Sequence, residues 1–174
     1  MTPSVPALAP RLAAARAAVA PRIGEAPEIA MILGSGLGQL ADAVEGATHI
    51  PYAEIPGFPV STAPSHAGRF VLGRLFGRQA ALMQGRVHLY EGWSAQDVAL
   101  PVWLMAAMGA RTLVVTNAAG ALNPALKPGV PMLIEDHLNL TGANPLIGPN
   151  DDALGPRFPD MSRAYAPELR ELAR

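Results

Sequence analysis

No cysteine occurs in the 174 residues, which excludes disulfides, thiolate metal ligands and a thiol nucleophile. Charge is sparse and balanced: charged residues make up 16% and the formal net charge is −1. Such a chain has no electrostatic footprint for nucleic acid or for an acidic membrane surface. Long apolar runs are missing as well. The longest, residues 98–110, is interrupted by Pro101 and falls short of the roughly 20 residues that span a bilayer. The N-terminal stretch has no basic segment leading into an uninterrupted apolar one, which predicts a cytoplasmic protein that is not exported. The four histidines are scattered, without a His-Glu-x-x-His pairing, so no catalytic metal is expected. A Gly-x-Ser-x-Gly nucleophile elbow is absent too.

What is abundant points to loops around a core. Half of the residues are apolar, aromatics are only 5%, and there are 17 glycines and 18 prolines. This balance fits a loop-rich α/β enzyme, and the length fits a single domain over residues 1–174. Residues 11–20 are alanine-rich and favour a helix that Pro21 stops. Residues 28–33 read as a first strand, and residues 69–76 and 79–84 flank Gly77-Arg78 as a hairpin. That hairpin predicts a mixed central sheet flanked by helices. Residues 51–64, with four prolines, predict an extended surface loop. Ser94-Ala95-Gln96-Asp97 is a capping-box variant opening a helix to Met108, with Gly109 as its stop. Pro101 is expected to kink that helix or to sit near a first-turn geometry. Residues 112–116 are apolar on both faces, as a central buried strand is. Residues 130–134 are a further strand candidate, 140–159 a long loop, and 162–174 the start of a helix.

Three apolar runs give onto chemistry-bearing loops. The first leads into Gly34-Ser35-Gly36-Leu37-Gly38, the second into Gly85-Arg86-Val87-His88-Leu89-Tyr90-Glu91-Gly92, the third into Asn117-Ala118-Ala119-Gly120. Ligands of open α/β sheets sit beyond the carboxyl ends of strands, so these loops read as one anion site. The first is not a dinucleotide fingerprint, since Gln39 stands where the third glycine belongs. A tight glycine loop still offers amides and the Ser35 hydroxyl to a phosphate. Arg86 and His88 alternate on an extended segment and so face the same way. The guanidinium offers a fork to phosphate oxygens, and Glu91 can orient the imidazole. The small side chains around Ala118 let a ligand approach the backbone. Each of these has a plain reading as a turn or a solvated strand end; together they point to a site. His66 in Ser65-His66-Ala67-Gly68 is unremarkable taken alone, and His137 beside Asp136 reads as a structural hydrogen-bonder.

These motifs, with Asp136-His137-Leu138-Asn139-Leu140 and Arg157-Phe158-Pro159-Asp160-Met161-Ser162, occur in one order along the chain. In that order the chain resembles the trimeric, low-molecular-mass purine nucleoside phosphorylases, from residue 28 to the last. The resemblance implies reversible phosphorolysis of a purine (deoxy)ribonucleoside to free base and (deoxy)ribose 1-phosphate. It implies a phosphate pocket of Ser35, His66, Arg86, His88 and the Ala118 backbone, with His88 and Asn117 as catalytic residues. It implies sugar contacts from Tyr90 and from Phe158, the latter lent to a neighbouring subunit of a homotrimer. Glu91 would hold His88 in place. Inorganic phosphate is then a co-substrate, and no cofactor or metal is needed.

Phosphate as nucleophile agrees with the lack of an evident Ser, Cys or Lys nucleophile. The protein has to hold a dianion beneath C1′ and stabilise an oxocarbenium-like transition state, which positioning and electrostatics accomplish. Chains of the family run on beyond the position of Arg174. Their purine-reading carboxylate and amide, a further phosphate-binding serine and a sugar-contacting histidine lie there, so the resemblance implies a phosphate half-site in an incomplete domain. Two alternatives stay open: a 5′-methylthioadenosine phosphorylase, which the serine of the glycine loop disfavours, and a non-catalytic phosphate-binding fragment.

Overall fold

The computed structural model describes residues 8–62 and 67–174. The chain divides into two compact units, Met1–Ala118 and Ala119–Arg174.

The first unit is built on a five-stranded sheet in the order β2-β3-β4-β1-β5. Its strands are β1 (Ile29–Leu33), β2 (Glu45–Pro51), β3 (Arg69–Leu75), β4 (Arg78–Gln84) and β5 (Thr112–Val115). β2, β3 and β4 form an antiparallel meander, whereas β4, β1 and β5 run parallel. The sheet is therefore mixed, as the Gly77-Arg78 turn predicts. β4 is central and buried on both faces. Ala80 and Leu82 join Leu33, Val71 and Leu75 in one cluster, while Ala81 and Met83 alternate to the other side and are equally covered.

Helix α1 (Leu8–Val19) ends in a 3-10 turn at Ala20–Arg22 that contains Pro21. Helix α2 (Ala95–Met108) starts where the capping box places it. The Ser94 hydroxyl donates to Asp97 at 2.5 Å, and the Asp97 amide donates back to the Ser94 hydroxyl at 3.2 Å. Gly109 ends it at φ 118°, a conformation that glycine takes without steric penalty. The helix runs through Pro101 without a break in its assigned span. An ion pair of 2.6 Å between Arg11 and Asp97 joins α1 to α2. Burial pushes the Asp97 carboxyl up, but Ser94 and Arg11 outweigh it and hold the group below its ordinary range.

Several expectations are corrected. Residues 51–59 are not a surface loop: Tyr52, Ile55 and Phe58 are buried, and the Tyr52, Phe58 and Phe70 rings pack within 5.0–5.4 Å of one another. Aromatic burial here overrides the proline signal. β2, which the sequence reading did not foresee, supplies the outer strand of the meander. β5 is not a central strand but an edge, paired among the described residues only with β1, and Leu113, Val114 and Val115 are all partly exposed.

In the second unit residues 130–134 form no strand, and Val130 and Met132 are exposed. A strand needs a partner for its backbone groups, and among the described residues none lies alongside. Helix α3 (Pro167–Ala173) begins at a proline in its first turn, five residues later than expected. The long segment before it carries turns held by local bonds. Arg157 Nη1 donates to the carbonyls of Leu146 and Gly148, at 2.8 and 2.7 Å. Tyr165 Oη lies 2.6 Å from His137 Nδ1, so His137 is the hydrogen-bonder expected. No helix among the described residues is long and apolar enough to cross a membrane.

Candidate active site

The register sets Leu33 beside Gln84 and Ile32 beside Val115, so β4, β1 and β5 end level at one edge. The three loops singled out in the sequence leave from there. After β1, the Leu37 amide donates to the Gly34 carbonyl at 3.1 Å and closes a turn around Ser35 and Gly36. Ser35 is exposed. It lines a cavity of about 390 Å3 with Gly34, Gly36, Gln84, Gly85 and Ala67.

After β4 the chain stays extended. Val87 turns inward and is buried, while Arg86 and His88 stand together on the other side, half-covered. Arg86 Nε lies 3.1 Å from His88 Nε2, and Arg86 Nη1 reaches across to the Thr116 carbonyl at 3.4 Å. A 3-10 turn, Leu89–Glu91, then folds Glu91 back under the histidine. Glu91 Oε1 accepts from the His88 amide and lies 2.8 Å from His88 Nδ1. Glu91 Oε2 accepts from the Thr62 amide and hydroxyl and from the Ser61 hydroxyl. Burial pushes this carboxyl up, but the bonds from Thr62 and His88 outweigh it and bring it from 4.5 to about 2. Glu91 is therefore ionised, and the ionised form accepts the Nδ1 proton. That leaves Nε2 with its lone pair toward the Arg86 Nε–H. Tyr90 is exposed and stacks on the His88 ring, centroids 4.5 Å apart and planes at 18°.

After β5, Asn117 and Ala118 are both exposed, with Asn117 Nδ2 donating to the Ala118 carbonyl at 3.2 Å. The site residues Ser35, Arg86, His88, Tyr90, Glu91, Asn117 and Ala118 thus belong to one edge of one sheet. His66 lies outside the described residues. Phe158 lies in the second unit, with its ring exposed and the Arg157 guanidinium 6.0 Å from the ring centroid.

Three supporting residues were not given a role from the sequence. Thr116 accepts from the Gly34 amide through its hydroxyl at 2.8 Å. Gln84 accepts from Arg69 Nε at 2.7 Å and donates to the Gly38 carbonyl at 2.9 Å, holding the far side of the glycine loop. The buried Tyr52 hydroxyl donates to the Gly85 carbonyl at 2.6 Å, where the Arg86 loop begins. Only the position of Thr116, the first polar residue past an apolar strand, offered a signal. Among the described residues no group of three or more His, Asp or Glu is arranged to hold a metal ion.

Chemically, the edge offers a guanidinium, an imidazole with a set tautomer, a hydroxyl and a glycine-loop backbone to an anion. The sequence profile of the phosphorylase superfamily matches residues 28–174. The chain is 57% identical to purine nucleoside phosphorylase 1 of Geobacillus stearothermophilus over 148 residues, covering 85% of this chain and 54% of that protein. It is 51% identical to the purine nucleoside phosphorylase of Bos taurus over 150 residues, covering 84% of this chain and 52% of that protein. The fold is similar to a crystal structure of a schistosoma purine nucleoside phosphorylase in complex with hypoxanthine. There the TM-score is 0.89 at 44% identity, covering 98% of this chain and 61% of that one. A purine nucleoside phosphorylase in complex with ribose 1-phosphate matches with the same TM-score of 0.89 and 44% identity, covering 98% of this chain and 64% of that one. The chain therefore spans a little over half the length of these curated relatives.

Proposed function

We propose, from the premise that this chain belongs to the phosphorylase superfamily, that the protein carries out phosphorolysis of purine (deoxy)ribonucleosides. The products are free purine and (deoxy)ribose 1-phosphate. The carrying observation is that Gly34-Ser35, Arg86 with His88, and Thr116-Asn117 leave level from three adjacent parallel strands, with Arg86 reaching the β5 loop. The two units are parts of one nucleoside phosphorylase-like domain, a reading supported by one family profile that runs across both.

In this reading a phosphate oxygen forms a bond to C1′ as the C1′–N9 bond breaks, and the electron pair leaves with the purine, which is protonated. Arg86, Ser35, His66, the Ala118 backbone and His88 hold the dianion beneath the sugar. Its charge stabilises the positive charge developing on the ribosyl ring. Glu91 beneath His88 fixes the orientation of its ring through the backbone amide and Nδ1. Tyr90 and Asn117 face the nucleoside. Phe158 serves a neighbouring subunit of a cytoplasmic homotrimer, a role supported by its exposure on a segment tied down at Arg157. Phosphate is a co-substrate, and no cofactor takes part.

The test is Arg86→Ala in the complete protein, with phosphate and inosine varied separately. Loss of a charge-assisted contact costs about 1.5–3 kcal/mol, so phosphate KM should rise roughly 10- to 150-fold, with a much smaller change for inosine. Equal losses for both substrates, or none, would remove the assignment.

A further inference from the structure

Thr116 is the point through which all three strand-end loops are joined. Its hydroxyl accepts from the Gly34 amide at 2.8 Å and donates to the Ile32 carbonyl at 2.9 Å. Its own amide donates to that same carbonyl at 3.0 Å. Its carbonyl accepts from Arg86 Nη1 at 3.4 Å. One residue therefore ties the end of β1, the loop that carries Ser35 and the guanidinium of the β4 loop to the end of β5.

The fit is close. A methyl group added at Gly34 would stand 2.4 Å from the Thr116 carbonyl oxygen and 2.7 Å from the Asn117 Cα. Both of those atoms are backbone, so the two loops are already in contact at this point. The hydroxyl satisfies the Gly34 amide at a place where the neighbouring space is occupied by protein. Branching at Cβ limits the side chain to few rotamers, so the hydroxyl is held where both of its bonds form at once.

We propose that Thr116 is a positioning residue for phosphate. Its hydroxyl sets the Ser35 loop and its carbonyl aims the Arg86 guanidinium, so that the two reach one anion. The inference rests on the phosphorolysis reading above and adds to it a residue that contacts no substrate. Valine keeps the shape of threonine but neither donates nor accepts, so Thr116→Val frees the Ser35 loop while leaving the bulk in place. Serine keeps the hydroxyl.

The experiment uses the complete protein and measures phosphorolysis with inorganic phosphate and inosine varied in turn, alongside thermal melting. Thr116→Val should raise phosphate KM on the order of tenfold with inosine KM nearly unchanged, the loss expected when a part-buried hydroxyl gives up its two hydrogen bonds. Thr116→Ser should return phosphate KM to near the parent value. Where Thr116→Val does not fold, Thr116→Ala against Thr116→Ser isolates the hydroxyl in the same way. An unchanged phosphate KM in the valine variant, or losses equal for both substrates that merely follow a lowered melting temperature, overturns the proposal. So does an alanine variant that matches serine. Arg86→Ala is run in parallel: if it leaves phosphate KM unchanged, the phosphate reading itself fails, whereas a large effect there beside a silent Thr116→Val removes only the role of Thr116.

Discussion

Glu91 holds His88 twice through one oxygen. Oε1 accepts from the backbone amide and lies 2.8 Å from Nδ1, while Oε2 is occupied by Thr62 and Ser61. Every neighbour the carboxylate meets there is a donor, which only an acceptor-only group satisfies. Glu91→Gln sets an NH2 against one of these donor groups. The variant should lose about 1.5–3 kcal/mol of stability and most of its phosphorolysis, because the ring tautomer is no longer set. Urea denaturation and steady-state rates check both. Unchanged values would show that Glu91 is dispensable to His88.

The same carboxylate predicts an acid limb of stability. Its folded value, about 2, lies below its ordinary 4.5. Below 4.5 the unfolded chain binds the proton first, so the contribution is complete above that pH and fades as pH falls toward 2. Comparing unfolding midpoints of the parent and Glu91→Gln over this range isolates the group. The gap between them should narrow as pH falls, and a constant gap would contradict it.

Tyr52 connects core packing to the Arg86 loop. Its hydroxyl is buried, burial raises its pKa well above the usual phenol range, and it donates to the Gly85 carbonyl. Tyr52→Phe preserves the ring cluster with Phe58 and Phe70 but leaves that carbonyl short of a donor. Stability should fall by about 1–2 kcal/mol, read from denaturant midpoints, and phosphate KM should rise. A variant equal to the parent in both would show that the loop is held by other contacts.

Phe158 gives a prediction about assembly. If its ring completes a neighbour's sugar pocket, co-assembling Phe158→Ala chains with Arg86→Ala chains regenerates sites with both residues intact. Mixed oligomers should then recover activity that neither variant has alone. Mixtures that stay as inactive as their components would place the whole site within one subunit.

The β5 edge predicts association. Leu113, Val114 and Val115 are partly exposed on a strand that, among the described residues, pairs only with β1, and an edge left unpaired invites another strand. The 174-residue polypeptide alone should elute as concentration-dependent oligomers on size-exclusion chromatography. A monodisperse monomer across concentrations would show that the edge is protected.

Local chemistry was enough for part of this molecule. Ser94 and Asp97 cap α2, Gly109 stops it, Gly77-Arg78 turns the hairpin, and the alternation of Arg86, Val87 and His88 sets two side chains on one side. Each depends on neighbours within a few residues, so spacing along the sequence carries the information. The motif order carried the family. The tertiary structure decided what depends on distant partners. It paired β1 with both β4 and β5, which brought Ser35, Arg86 and Asn117 to one edge. It buried Tyr52 and Phe58 in a proline-rich run that reads as surface, and it left residues 130–134 without a strand partner among the described residues. It also joined Thr116 to Gly34 and Glu91 to Thr62, contacts across 82 and 29 positions that no periodicity reveals. A hydrogen bond over such a separation exists only once the chain has paid the entropy of closing the loop between its ends, and that balance is set by the whole sheet rather than by either residue.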